Sequence, residues 1–287
     1  MQIGAVFPQT ELGADRGAVR AYVEGLADLG FAHLLAYDHV LGADTSVHKG
    51  WSGPYDIDTT FHEPFVLFGY VAAFSDLELV TGIIILPQRQ TALVAKQAAE
   101  VDLLTGGRFR LGVGLGWNAV EYEALGKDFS DRGRRLESQV ELLRRLWTER
   151  SVTFRTGGET VTGAGLAPLP LQRPIPVWIG GQSERAYRRM GRLADGWFPQ
   201  VQPGDKLAAA LQEVAAGAAE AGRDPASIGM EGRVSWRGDA EDIARRGEEW
   251  RSAGASHLAV NTMGAGLDGV EGHLEALRQA AEALDLG

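Results

Sequence analysis

The chain has 287 residues, close to the roughly 250 of one (β/α)8 barrel and enough for two smaller domains. Hydrophobic residues at 45% supply an ordinary globular core, and the absence of cysteine excludes disulfides and thiolate chemistry. A formal charge of -10 argues against a broad nucleic-acid surface, which needs clustered Lys and Arg, whereas a small anionic ligand needs only a local pocket.

The opening MQIGAVFPQT has no basic segment followed by an apolar stretch and a small-residue cleavage site, so no secretion signal is expected. No run approaches the ~18 apolar residues of a membrane span. Both readings fit a cytoplasmic protein without a membrane partner. Residues 3–8 (IGAVFP) form the first predicted strand, and Val19, Val23, Leu26 and Leu29 then share one helical face. A second strand is expected over 33–40. The segment 41–62 that follows is too long for an ordinary connection, and it carries Trp51, Tyr55 and Phe61. It reads either as a lid over a ligand or as a variable surface loop.

The third strand is expected over 79–87, a helix with Val94, Ala98 and Val101 on one face comes next, and the fourth strand covers 109–116. Leu136, Val140, Leu143 and Trp147 mark another helix. Residues 150–174 read as a hairpin turning at Gly157-Gly158 and a Pro-rich lead-in, an insertion before the fifth strand. Strands five to eight are expected over 175–181, 196–201, 228–236 and 257–263. The apolar runs are continuous rather than alternating, as in parallel strands buried on both faces. Eight strands alternating with about eight helices favour one α/β domain over 1–287, a (β/α)8 TIM barrel. A Rossmann-like sheet is disfavoured because no G-x-G-x-x-G opens a helix after the first strand.

Three groups of residues carry chemistry. Gly112, Gly114 and Gly116 alternate along the fourth strand, where they cost stability, so something must approach the backbone closely: a ring, a phosphate or a neighbouring strand. Gly180, Gly181, Gln182 and Ser183 form a strand end, a glycine turn and a helix cap, a natural seat for a phosphate. Arg185, Arg188, Arg189 and Arg192 follow at helical spacing and read mainly as a solvated outer face. Asp38 and His39 end the second strand, where alternation would turn them to opposite sides. The six histidines show no metal-ligand spacing, and no G-x-S-x-G elbow supports a serine triad.

The series AYDHV, LVTGIIILP, AKQAAEVDLLTGGRFRLGVGLGW, WIGGQSE and ADGWFP, in this order, resembles the luciferase-like oxidoreductases, most closely from the first strand to about residue 200. The resemblance implies a TIM barrel that often forms homodimers and binds either the deazaflavin coenzyme F420 or FMN. For the F420 branch it implies that Asp38 contacts the ring and that His39, whose unperturbed pKa suits proton transfer, is catalytic. It further implies a bulge with a non-proline cis peptide at Gly82-Ile83 behind the ring. Gly114, Gly116 and Asn118 would border the cofactor, and Gly180 to Ser183 would hold its phosphate. Sugar-phosphate dehydrogenases of the family carry Glu at the position of Trp117, so a more apolar small-molecule substrate is implied here. The expected activity is hydride transfer with F420. The alternatives are an FMN monooxygenase, a non-catalytic cofactor-binding barrel, and a lyase or isomerase for a phosphorylated substrate.

Overall fold

A computed structural model describes residues 1–286. In chain order the barrel begins β1 (Gln2–Val6), α1 (Arg16–Asp28), β2 (His33–Ala36), α2 (Pro64–Val71), β3 (Glu78–Thr81), β4 (Ile84–Ile85) and α3 (Thr91–Leu104). It continues β5 (Phe109–Gly114), α4 (Ala119–Ala124) and α5 (Arg132–Thr148), then the hairpin β6 (Val152–Thr156) and β7 (Glu159–Ala164). It ends β8 (Val177–Gly181), α6 (Glu184–Leu193), β9 (Gly196–Pro199), α7 (Asp205–Glu220), β10 (Gly229–Ser235), α8 (Ala240–Ser252), β11 (His257–Asn261) and α9 (Gly269–Ala283).

All strands except the hairpin are parallel, and they close into eight staves, with β3 and β4 forming one broken stave. Pairing of Leu79 with Phe109 and of Val80 with Arg110 closes the ring, and Ile84 pairs with Val113 beyond the break. The helices cover the outside. α1 buries Val19, Tyr22, Val23 and Leu26, and α5 buries Leu136, Val140, Leu143 and Trp147, the faces expected from their spacing. Inside the barrel a second apolar layer joins Val6, Leu35, Val80, Trp178, Phe198 and Ala259. Below it, at the amino ends of the strands, Arg110 donates to Glu78 and Glu231 at 2.8 Å each, and His33 Nε2 meets Glu231 at 2.8 Å.

The expected hairpin is present, turning at Gly157-Gly158 with both φ angles positive. Several strands stop earlier than expected. β1 ends before Pro8 and β9 ends at Pro199, where the ring nitrogen has no proton for a ladder. The third strand breaks at the cis peptide Gly82-Ile83, and residues 86–88 form a 3-10 turn rather than strand. β2 stops at Ala36, so the alternation expected for Asp38 and His39 does not apply. Among the described residues no helix is long and apolar enough to cross a membrane.

Candidate active site

The carboxyl ends of the strands surround a cleft of about 660 Å³, where barrel loops place chemistry. Its floor is made by Gly82, Ile83, Gly114, Gly116 and Gly180. The three glycine tips have different jobs. Gly112 is packed under the backbone of β3, where an added Cβ would strike the Thr81 carbonyl, so this one serves strand packing. A Cβ on Gly114 would collide with the Ile83 side chain, and one on Gly116, whose φ is +67°, would meet Ile85. These two glycines therefore admit the bulge of β4 against β5 while keeping their own surface open to the cleft. Gly180 faces Ile83 from the other side, with 3.3 Å between a Cβ placed there and Ile83 Cγ2. The result is an open shelf, Ile83 in the middle and bare backbone at both edges, that suits a planar ring and that larger side chains would fill.

Beyond the shelf, Gly181, Gln182 and Ser183 line the cleft where α6 begins. Ser183 Oγ accepts from Ala186 N at 3.2 Å as the helix cap, leaving the other amino-terminal N–H groups and the positive helix end toward the cleft. Gly181 differs from Gly180. A Cβ on it would lie 2.9 Å from Ala186 Cβ, inside α6 rather than in the cleft. Gly181→Val should accordingly cost about 1–3 kcal/mol of stability through overpacking. Gly180→Val should instead narrow the shelf and weaken ring binding by more than it lowers Tm. Urea denaturation beside cofactor titration separates the two. Arg188 pairs outward with Glu213 and Glu220, as an outer face should, and Arg185 is exposed. Arg189 departs from that face: it lines the cleft, tethered to Glu137 at 2.8 Å, and Arg132 joins it there.

Asp38 and His39 both line the cleft, and each is held by a partner. Asp38 is 3% exposed, and its two oxygens accept from Arg89 Nη2 at 2.8 Å and Ile85 N at 3.3 Å. Burial pushes its carboxyl up, and the Arg89 guanidinium opposes that rise. Its bonds to β4 and Arg89 make it a brace for the bulge as well as part of the wall. His39 Nδ1 lies 3.0 Å from Glu121 Oε1. Glu121 is fully buried, and the same oxygen accepts from Val40 N and Leu41 N while Oε2 accepts from Gln88. Burial would raise Glu121, but its bonds to His39, Gln88 and Leu41 outweigh that and hold its carboxyl below the usual range. An ionised Glu121 can only accept, so Nδ1 carries the proton. Nε2 has no protein partner among the described residues. Sequence reasoning missed Glu121. The only available signal was its place in the first turn of the helix directly after the glycine strand.

Aromatic rings enclose His39. Phe61 is 4.7 Å away between ring centres, Tyr55 5.1 Å and Trp117 5.3 Å. The 41–62 loop supplies Tyr55 and Phe61, and Trp51 packs on Trp117 at 5.6 Å. Ile57 N donates to Ala43 O at 3.0 Å across the loop neck, and Trp51 Nε1 donates to Tyr55 O at 3.0 Å, so the loop has internal order. It is an ordered, lid-like loop beside the mouth, with Tyr55 in the cleft lining. Asn118, expected on the cofactor, stands off the cleft. Its Oδ1 caps α4 at Val120 N and Glu121 N, its Nδ2 donates to Leu41 O, and it is 2% exposed. Both ends of the amide are spent on joining α4 to the lid. Asn118→Ala should cost about 1–2 kcal/mol, a lost cap and one further bond, with cofactor affinity retained; thermal denaturation and titration check both.

A closed ring of eight parallel staves with a bulged third stave and its cleft at the carboxyl ends of the strands defines the class of (β/α)8 TIM barrels. The chain belongs to one family of that class: the profile described as luciferase-like monooxygenase matches residues 1–284. Its sequence is 35% identical to the uncharacterised protein Rv0940c of Mycobacterium tuberculosis over 57% of this chain and 56% of that one. It is 32% identical to an FMNH(2)-dependent dimethylsulfone monooxygenase of Pseudomonas putida over 73% of this chain and 58% of that one. The chain thus spans less than two thirds of the curated relatives it matches. Its fold is that of an F420-dependent secondary alcohol dehydrogenase solved with an F420-acetone adduct, with a TM-score of 0.77 and 18% identity covering 99% of this chain and 98% of that one.

Proposed function

We propose that the protein is an F420-dependent oxidoreductase acting on a small organic substrate with an apolar body. The observation that carries this reading is His39, held through Nδ1 by a buried carboxylate and facing a cleft whose floor is an open shelf. When bound, F420 supplies the hydride chemistry that side chains lack. Ile83, Gly114 and Gly180 would bear its ring. Gln182, Ser183 and the start of α6 would hold its phosphate, with Arg132 and Arg189 nearby for further negative charge.

His39 holds or releases the accompanying proton at Nε2, because Nδ1 is committed to Glu121. Glu121 keeps the imidazole in one tautomer and orientation, and its low pKa keeps it charged throughout the neutral range. Phe61, Tyr55 and Trp117 exclude water around the ring and give the substrate an apolar wall. The alcohol dehydrogenase of the same fold supports a carbonyl or alcohol as the reacting group.

The identity to the FMNH(2)-dependent dimethylsulfone monooxygenase favours a second reading, a monooxygenase using reduced FMN and oxygen. Titration of the purified protein with F420 and with FMN tests the choice. Tighter binding of F420, without oxygen uptake on turnover, is the expected result. Tighter FMN binding with oxygen consumption would establish the second reading instead.

A further inference from the structure

The cleft contains one cation that neither the cofactor shelf nor His39 uses. Three arginines line it: Arg132, Arg189 and Arg233. Arg189, paired with Glu137, and Arg132 at the start of α5 are the two assigned above to the cofactor's negative charge. Arg233 lies on β10, two staves from β8 and three from β5 around the mouth. Among the described residues no carboxylate lies within 4 Å of it. Glu231, two residues earlier on the same strand, has both oxygens engaged by Arg110 and His33 deeper in the barrel. A single protein hydrogen bond holds the Arg233 guanidinium, Nη1 donating to the Tyr37 hydroxyl at 2.9 Å. The Tyr37 carbonyl is itself fixed by Gln9 Nε2 at 2.9 Å.

A half-buried guanidinium with one nitrogen anchored and its other donors free is arranged to take a partner from outside the chain. Around it Ser235, Asn261 and Gln200 complete a polar corner opposite the aromatic wall. We infer that Arg233, positioned by Tyr37, binds an acidic oxygen group of the substrate, a carboxylate or sulfonate, while the apolar body of the same molecule lies against Trp117 and Tyr55. Assigning that anion to the substrate rests on the oxidoreductase reading above, whereas the binding of an organic anion at Arg233 does not.

The experiment uses the full chain without cofactor and two probes of equal shape, benzoate and benzamide, followed by tryptophan fluorescence and calorimetry. Benzoate should bind about 10- to 100-fold more tightly than benzamide, the range of a charge-assisted hydrogen bond. Arg233→Gln should remove the preference and leave benzamide affinity unchanged, and Arg233→Lys should restore part of it. In the same variants F420 and FMN affinities should not change. Equal binding of the two probes, a preference that survives Arg233→Gln, or one lost only in Arg132→Gln would overturn the inference. So would a cofactor affinity that falls with Arg233→Gln. Failure of the protein to bind either cofactor while the benzoate preference persists would overturn the oxidoreductase reading and leave the anion site standing.

Discussion

His39→Ala should lower turnover by about 10²–10⁴-fold, the usual loss when a positioned acid–base group is removed, with F420 affinity unchanged. The expectation follows from geometry. His39 is a wall of the cleft rather than part of the shelf, so its removal leaves Ile83, Gly114 and Gly180 in place. The measurement is kcat and KM beside a cofactor titration. An unaltered kcat removes His39 from the chemistry, and a barrel that only carries the cofactor predicts no conversion at all. Glu121→Gln should lower kcat by less, because an amide still accepts from Nδ1 but no longer offers a full charge to a protonated ring. The double variant should be little worse than His39→Ala alone, since the pair acts as one unit. A simple multiplication of the two losses would mean that Glu121 acts elsewhere, for instance on the lid through Val40 and Leu41.

The barrel was legible because parallel strands covered on both faces leave continuous apolar runs, and eight of them remain distinct in this chain. His39, the glycine tips and the Ser183 cap were legible because each is a local signal: a titratable group after a strand, a costly glycine alternation, a cap before a helix. Glu121 was not. Within NAVEYEALG it is one of two glutamates in a short helix and reads as surface, and its burial is created by Gln88 and by the backbone of residues 40 and 41. Asn118 is absent from the cleft lining for a related reason: proximity to the strand tip does not reveal that both ends of its amide are taken. α2 was hidden by composition. PFVLFGYV is apolar on every side, so it shows no 3.6-residue stripe, and its start is marked by Pro64 and by the Glu63 cap, which accepts from Val66 N at 2.8 Å. Arg233 is invisible as a site until the fold brings Tyr37 to it from nearly 200 residues away.

The same limit applies to the charged floor of the barrel, whose members lie on separate strands, and the largest stability effect is expected there. Arg110→Met removes the guanidinium that bonds Glu231 and Glu78 and stacks 4.5 Å above the Trp178 ring. It leaves a fully buried Glu231 carboxylate with His33 as its remaining partner. Breaking such a set from one side costs about 3–5 kcal/mol, enough to lower Tm by about 10 °C in a chain of this size. Acid should act on the same floor. Burial would raise Glu231, but His33 and Arg110 hold its carboxyl down to about 2, below its value in the unfolded chain. Its contribution is therefore complete above the unfolded value and lost as pH falls toward 2. Burial, reinforced by Arg110, depresses the nearby His257 to about 3. Between its unfolded value near 6.5 and that pH the unfolded chain holds the extra proton, so stability also declines there as pH drops. The two effects have the same sign, and melting temperatures recorded from pH 7 downward should fall throughout. Arg110→Met weakens both. With less cationic support Glu231 should lose its ionisation at a higher pH, and without the repelling guanidinium His257 should protonate in the folded state more readily. Both folded-state values then lie nearer their unfolded ones, so the variant's acid limb should be shallower than the parent's throughout, superimposed on the lower Tm. A limb parallel to that of the parent protein would show that Arg110 is neutralised by Glu78 alone and that Glu231 owes its low pKa to His33.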